Sequence, residues 1–321
     1  MFRSSTMVGV VAVAMVGLLP HAALAGAVAA NGPVQTEFSS LVYVQVDPVP
    51  GVVTGVFTTR FYPGLFGNNM TAQSTGEHGG VVTFVTPLKD GSKGQIGASI
   101  LDAGTSTLGS GGNSLVSEDL RGVITTSTDP RLKVGVGQIY VQSYGNAAAL
   151  NYTTFGTWGA KKRFHDGSPI YAGAFAGASP GATFVTTMPT SGSAAYTGHA
   201  VGVVNAGGHG LDWLGTISLT ANFAAMGGTL SGAIANIGVY KNGTTLVGSM
   251  NDIVFNTGTF SRKAFYGTLS AGLTAGTAAN LTGGRGTYKG AFYGPNAAEV
   301  AGIIDFSATN VHLTGSFGAK Q

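Results

Sequence analysis

Glycine supplies 53 of the 321 residues and follows no three-residue period. Glycine in a helix interior costs about 1 kcal/mol relative to alanine, so a chain this rich in it does not build long helices. The missing period excludes a collagen triple helix. Between the glycines stand short runs that alternate apolar and polar residues. Thr216–Phe223 alternates with period two, the turn Met226-Gly227-Gly228 follows, and Thr229–Ile234 returns, which is the pattern of a hairpin. Runs of the same kind are Leu246–Met250, Lys263–Leu273, Thr287–Tyr293, Glu299–Phe306 and Val311–Phe317, with Tyr196–Val203 in front. These predict eight strands between Tyr196 and Lys320, a number that closes a small barrel and leaves no free edge. Ser117–Arg121 is a helix candidate, too short to stand alone.

Upstream, Gly26–Pro189 is less regular. Strands are expected at Leu41–Val46, Gly51–Phe61, Gly80–Val85, Gln95–Leu101 and Lys133–Tyr144, separated by loops rich in Gly, Ser and Thr, notably Ala103–Ser114. Ala178–Ser193 carries Pro180, Pro189 and several Thr and Ser and reads as a linker. The division expected is a signal segment over 1–25, a strand-rich domain over 26–190 and a barrel over 191–321. The signal is read from Arg3, the apolar run Met7–Leu19 and the small-residue exit Ala23-Leu24-Ala25, an A-x-A cleavage pattern. It implies export. A lipid-embedded barrel is opposed by the Gly- and Ala-rich strands, whose few aromatics do not make two girdles.

The chain has no cysteine. That excludes a disulfide framework, a thiol nucleophile, a cysteine zinc site and lipidation through an N-terminal cysteine. Charged residues make up 9% of the chain and the formal net charge is +3. So weak and scattered a charge does not imply nucleic acid. No G-x-S-x-G, H-E-x-x-H or phosphate loop occurs. The adjacent acids Glu118 and Asp119, as neighbours on a strand or a short helix, diverge rather than face each other. No enzyme is expected. The histidines are His78, His165, His199, His209 and His312 after the signal. His78 lies in Gly76-Glu77-His78-Gly79-Gly80 and His209 in Ala206-Gly207-Gly208-His209-Gly210. Flexible glycine flanks would let either imidazole approach a flat cofactor such as haem, for which histidine is a usual axial ligand. The other reading is a solvent-exposed loop histidine. His199 shares a face with Thr197 and Val201 and reads as a barrel-face residue. Lys161-Lys162-Arg163 could meet an acidic partner, a lipid headgroup or a haem propionate, or form a solvated loop. Phe61–Phe66 is core or an interface patch.

Gly290-Ala291-Phe292-Tyr293-Gly294-Pro295-Asn296-Ala297-Ala298-Glu299-Val300-Ala301-Gly302 resembles the signature strand and turn of the transferrin-binding protein B barrel. Gly315–Gln321 resembles that family's closing motif, Tyr196-Thr197-Gly198 its opening strand and Thr229-Leu230-Ser231-Gly232 its second hairpin. Leu150–Trp158 resembles the entry to the barrel. Read physically, Phe292, Tyr293 and Phe306 supply core bulk, and Gly294-Pro295-Asn296 turns the chain. The resemblance implies an all-β chain, with a strand-rich handle before an eight-stranded antiparallel barrel. Without a cysteine the chain resembles the soluble, non-lipidated, haemophilin-like branch. The function this implies is an exported, non-catalytic binder in haem or iron acquisition, with His78 and His209 as candidate haem ligands. Its partners would be an outer-membrane haem or iron receptor, or a host iron protein, with delivery by a surface-lipoprotein-type translocon. It would be found outside the cell, on its surface or in the periplasm. The alternative is a protein-interaction module that holds no cofactor.

Overall fold

The computed structural model describes residues 42–46, 55–61, 71–75, 81–87, 93–127, 134–161, 169–178, 185, 187–206 and 209–321. The expected signal segment, His78, His165, Lys162, Arg163 and Tyr62–Phe66 lie outside the described residues.

The first sheet holds β1 (Val42–Val46), β2 (Gly55–Phe61), β3 (Thr71–Thr75), β4 (Val81–Pro87), β5 (Lys93–Ser110), β6 (Asn113–Ser127), β7 (Gln138–Ser143), β8 (Thr153–Lys161) and β9 (Pro169–Ala178). Its order is β1-β2-β9-β8-β7-β6-β5-β4-β3, and a parallel pairing of β1 with β3 closes the ring. The expected loop Ala103–Ser114 is instead the tip of the long β5–β6 hairpin, turning at Gly111-Gly112. The helix candidate Ser117–Arg121 is part of β6. Cross-strand partners from Ser106↔Ser117 to Asp102↔Arg121 give that segment a hydrogen-bond ladder, which a one-turn helix could not match.

The second sheet holds β10 (Ser193–Ala206), β11 (His209–Ala224), β12 (Gly227–Lys241), β13 (Thr245–Ser249), β14 (Ile253–Ser261), β15 (Ala264–Ala271), β16 (Arg285–Tyr293), β17 (Glu299–Ala308) and β18 (Val311–Lys320). Eight of them close an antiparallel barrel through the β10–β18 and β11–β12 pairings. Leu246–Met250, expected as a stave, is the short side strand β13, paired to β12 alone. The eighth stave is β14, which a register shift between Phe255 and Thr259 interrupts. That irregularity breaks its period-two pattern and hides it from a reading of alternation.

Alternation decides what fills the barrel. Tyr196, Trp213, Ile217, Leu219, Phe255, Phe265, Tyr288, Phe292, Phe306 and Phe317 are all buried in one interior cluster. Rings run through it in contact: Phe223–Phe260 at 5.5 Å, Phe260–Phe292 at 4.9 Å, Phe292–Phe265 at 5.3 Å and Phe255–Tyr288 at 4.6 Å between centroids. Each such pair adds about 0.5–1.5 kcal/mol beyond its area. Trp213 lies flat on Gly202 and Gly315; a Cβ at Gly202 would sit 2.6 Å from its Nε1. Outward positions such as Thr197, Ser218, Thr220 and Asn222 are exposed. Apolar inside and polar outside is the inverse of a lipid-facing barrel. Val185 and Met188, ahead of β10, pack onto the same cluster, and Val185 N–H donates to the Phe292 carbonyl at 3.3 Å.

The Gly294–Ala298 turn follows β16. It holds a 3-10 turn over Pro295–Ala297 with Asn296 at φ 53°. Tyr196 Oη donates to the Ala297 carbonyl at 2.7 Å, and Gln321 Nε2 donates to it at 2.9 Å. Phe292 and Phe306 are interior, as expected, but Tyr293 faces outward into a second cluster with Leu108, Leu115, Tyr144, Leu150, Phe155, Val201, Leu214, Ala301 and Ile303. That cluster is the seam between the two sheets. Leu150–Trp158, expected as the barrel's entry, is the start of β8 and its approach, docked on the barrel's outside. At Gly318 a Cβ would lie 2.6 Å from both Leu150 Cδ1 and Phe155 Cδ1. Ser316 Oγ accepts from Gly156 N–H at 3.0 Å and donates to the Gly156 carbonyl at 2.8 Å. Glu299 fixes the seam's end. Its carboxylate, 2% exposed, accepts N–H bonds from Asn151 at 2.7 Å, Tyr152 at 2.9 Å and Thr153 at 2.9 Å, and the Thr153 hydroxyl at 2.9 Å.

Glu299→Ala strips four donors of their buried acceptor, so a loss of ~3–5 kcal/mol is expected. A thermal melt should fall accordingly, and limited proteolysis should reach the 145–155 segment first; an unchanged melt would refute the latch. Burial also pushes the Tyr196 and Tyr288 hydroxyls up to about 12 from 10. The folded state therefore holds protons that the unfolded chain releases, so stability is full below pH ~10 and falls as pH rises toward ~12. Circular dichroism alongside phenolate absorbance should show part of the tyrosine ionisation coinciding with unfolding. Full ionisation of all tyrosines with an intact spectrum would contradict this.

Candidate functional site

The barrel interior offers no room for a ligand, because its side chains meet across it. In the second sheet, candidate sites among the described residues therefore lie on the outer face, in the seam or at the barrel ends.

Of the two histidines expected to hold haem, His78 lies outside the described residues. His209 is the first residue of β11 rather than a loop residue, with Ala206 as its Cα partner; its side chain is not among those described. His199 sits on the outer face, as its alternation with Thr197 and Val201 predicts. It lies beside Gly318 in the β10–β18 register. Its Nδ1 is buried with no hydrogen-bond partner, and burial pushes the imidazole below its ordinary pKa, so it stays neutral. His312 is exposed, with Nδ1 3.0 Å from Ser307 Oγ. In the shared register His199 faces Gly318 and His312 faces Asn205. Six residues of strand separate the two, roughly 20 Å, so they do not converge. Among the described residues no group of three His, Cys, Asp or Glu could hold a metal.

Glu118 and Asp119 diverge as expected. Glu118 accepts from Asn146 Nδ2, while Asp119 is 4% exposed on the seam side. Ser117 Oγ and Ser106 Oγ donate to Asp119 Oδ1, and Arg121 Nη2 lies 3.5 Å from Oδ2. Gln142 Nε2 donates to Ser106 Oγ at 2.8 Å, and Thr157 Oγ1 donates to Gln142 Oε1 at 3.2 Å. Burial first, and then the charge of Asp212, pushes Tyr140 and Tyr144 far up. Both phenols stay protonated. The network ties β5, β6, β7 and β8 of the first sheet to one another; it contains no base and nucleophile in line.

Among the described residues there is also an open cleft of about 620 Å³ beside the barrel end where β12 finishes. One side is β12 with Asn236, Ile237, Gly238 and Tyr240; another is β13 with Leu246, Gly248, Ser249 and the following Met250; Asp252, Thr274, Ala275 and Thr277 complete it, and Asn113 reaches in from the β5–β6 tip. Gly109 N–H donates to the Gly243 carbonyl at 2.8 Å, which ties that tip to the β12–β13 turn. His209 begins β11 at this same end of the barrel, three residues before Asp212, the register partner of Tyr240. Sequence reasoning missed the cleft. Its one signal was Asn251-Asp252, a polar pair between two apolar runs.

Residues 188–321 match the protein family described as the C-lobe and N-lobe beta barrels of Tf-binding protein B. Among solved structures, the chain is similar to the Haemophilus parasuis transferrin-binding protein B double mutant, at 16% identity and TM-score 0.47, over 84% of this chain and 46% of that one. It is also similar to the isotype 1 transferrin-binding protein B of serogroup B Neisseria meningitidis, at 17% and 0.38, over 80% and 53%. A third is the N-lobe domain of the Moraxella bovis lactoferrin-binding protein B, at 18% and 0.32, over 53% and 76%. The chain thus spans about half the length of the first two. The barrel match and the eight closed staves lead to one assignment: in residues 188–321 the chain carries a barrel domain of the transferrin-binding protein B family.

Proposed function

We propose that this protein is an exported, non-catalytic binder that captures iron in the form of an iron-bearing partner protein. The observation that carries the reading is the filled barrel of the transferrin-binding protein B family: whatever it binds meets an outer surface, not a lumen. Large rigid β surfaces suit macromolecular partners, which need ~800 Å² a side. Solved proteins of similar architecture are named for binding transferrin and lactoferrin, and a carrier of that class is the partner we infer here. Met1–Ala25 serves as the export signal in this reading. Delivery runs to the cell surface or beyond, through a surface-lipoprotein-type translocon, and an outer-membrane receptor takes the iron onward.

Haem is the second form in which iron could be taken. The second barrel's interior is packed with rings, and among the described residues no histidine lines the cleft. A haem reading is carried by His78 and His209 alone, through the glycine-flanked sequences around them.

One set of titrations separates these forms. Residues 26–321 would be immobilised and exposed to iron-loaded transferrin, lactoferrin and haemoglobin, and titrated separately with haemin. The expected outcome is saturable binding of one carrier with Kd about 1 μM or tighter, and no saturable Soret shift. A stoichiometric Soret shift abolished by His78→Ala or His209→Ala would move the function to haem capture. Silence with every carrier and with haemin would overturn iron acquisition.

A further inference from the structure

The cleft beside β13 is independent of the iron reading, and its chemistry is specific. At about 620 Å³ it falls in the ~300–1,000 Å³ range of small-ligand sites. Its walls are fixed before any ligand arrives. Asn251, 1% exposed, organises the segment between β15 and β16: its Oδ1 accepts from Gly276 N–H at 3.1 Å and Leu281 N–H at 2.8 Å, and its Nδ2 donates to the Gly272 carbonyl at 3.1 Å and to Thr282 Oγ1 at 3.4 Å. All four bonding positions of the amide are used. Thr277 Oγ1 accepts from Ser249 N–H at 3.0 Å, and Ala278 N–H donates to the Ser249 carbonyl at 2.9 Å, which fastens this segment to β13. On the β12 side, Asn236 takes a left-handed backbone at φ 54°.

The lining selects by exclusion. Among the described residues that line it there is one carboxylate, Asp252, and no Lys, Arg or His. A phosphate, a carboxylate or a sulfated ligand would find no cation and would face the Asp252 charge. Asn236 Nδ2 already donates to Thr216 Oγ1 at 3.3 Å, so a wholly apolar ligand would cover Asp252, the Asn113 amide and the Asn236 Oδ1 without satisfying them. An amine would gain only the ~0–1 kcal/mol of an exposed ion pair and leave the amide donors unused. An uncharged, hydroxyl-rich ligand satisfies every group: each hydroxyl both donates and accepts, a carboxylate takes two of them, and an amide meets one of each kind. The apolar part of the lining, Ile237, Leu246 and Met250, would take the C–H faces of sugar rings.

We propose that this cleft binds a short neutral oligosaccharide, with Asp252 and Asn236 as its hydroxyl-binding groups, Asn113 and Thr274 at the rim, and Asn251 holding the wall. The test is an array of neutral oligosaccharides, built from glucose, galactose and N-acetylglucosamine, beside sialylated and sulfated ones, probed with labelled residues 26–321. Neutral sugars should be retained and the acidic series should not. Asp252→Ala should weaken the retained sugar roughly tenfold, the effect of losing hydrogen bonds to a charged group. Asn236→Gly keeps the left-handed backbone open and should also weaken it, while Thr259→Ala on the outer face of β14 should not. Asp252 is exposed, so its replacement should leave the melt unchanged. Failure of the wild-type chain to retain any neutral sugar, a preference for the acidic series, or retention unaltered in both cleft variants would each overturn the proposal. Carrier binding is measured separately, so loss of one reading leaves the other standing.

Discussion

A single buried carboxylate ties the molecule together. Glu299 opens β17, where the barrel's strands turn back toward β18, and it reaches out of the barrel into the other sheet. Three consecutive N–H groups, from Asn151 to Thr153, and one hydroxyl converge on it. A carboxylate taken from water without partners costs several kcal/mol, and the same group fully hydrogen-bonded becomes a point where a strand and a turn must meet in one geometry. The latch depends on the turn before it. Gly294–Ala298 sets where Glu299 begins, and Tyr196 and Gln321 clamp that turn from the first and last parts of the barrel.

From this point the seam spreads by small residues and rings. Gly318 leaves a space that Leu150 and Phe155 enter, and Val201, Leu214, Ala301 and Ile303 present an apolar outer face to it. The polar part of the seam, around Asp119 and Gln142, is satisfied within itself. The result is a barrel with two different outsides. One is committed to the first sheet. The other, over β11, β12, β14 and β15, keeps exposed Thr, Ser and Asn. The cleft lies where the tip of the β5–β6 hairpin reaches the β12–β13 turn, so both sheets contribute to it.

Much of this was legible in the residues. Thr216–Phe223 alternates cleanly and lies within β11, and the two rows of its pattern went to the two faces that alternation assigns. The adjacent pair Phe292-Tyr293 could have been read better: neighbours on a strand diverge, so one of them had to leave the core. Val300–Ile304 is apolar without alternation, the mark of a strand buried on both faces, and it announced the seam. The missing stave was harder. Ile253–Ser261 carries Asn256-Thr257-Gly258 at its centre, where the register shifts, whereas Leu246–Met250 reads as a better strand than its place allows. The long β5–β6 hairpin was hidden by Gly, Ser and Thr, which populate loops and strand surfaces alike.

The sequence by itself determined the class: glycine-rich alternation forbids long helices, and eight returning runs favour a closed barrel. It also determined which side chains fill that barrel, because period two is a local property of the chain. The partners across the seam, the latch at Glu299, the outward turn of His199 against Gly318 and the cleft around Asp252 were decided only by tertiary structure. Each joins residues far apart in the chain, such as Asn151 with Glu299 or Asn113 with Asn236, and no local pattern encodes which distant backbone groups a carboxylate or an amide will meet.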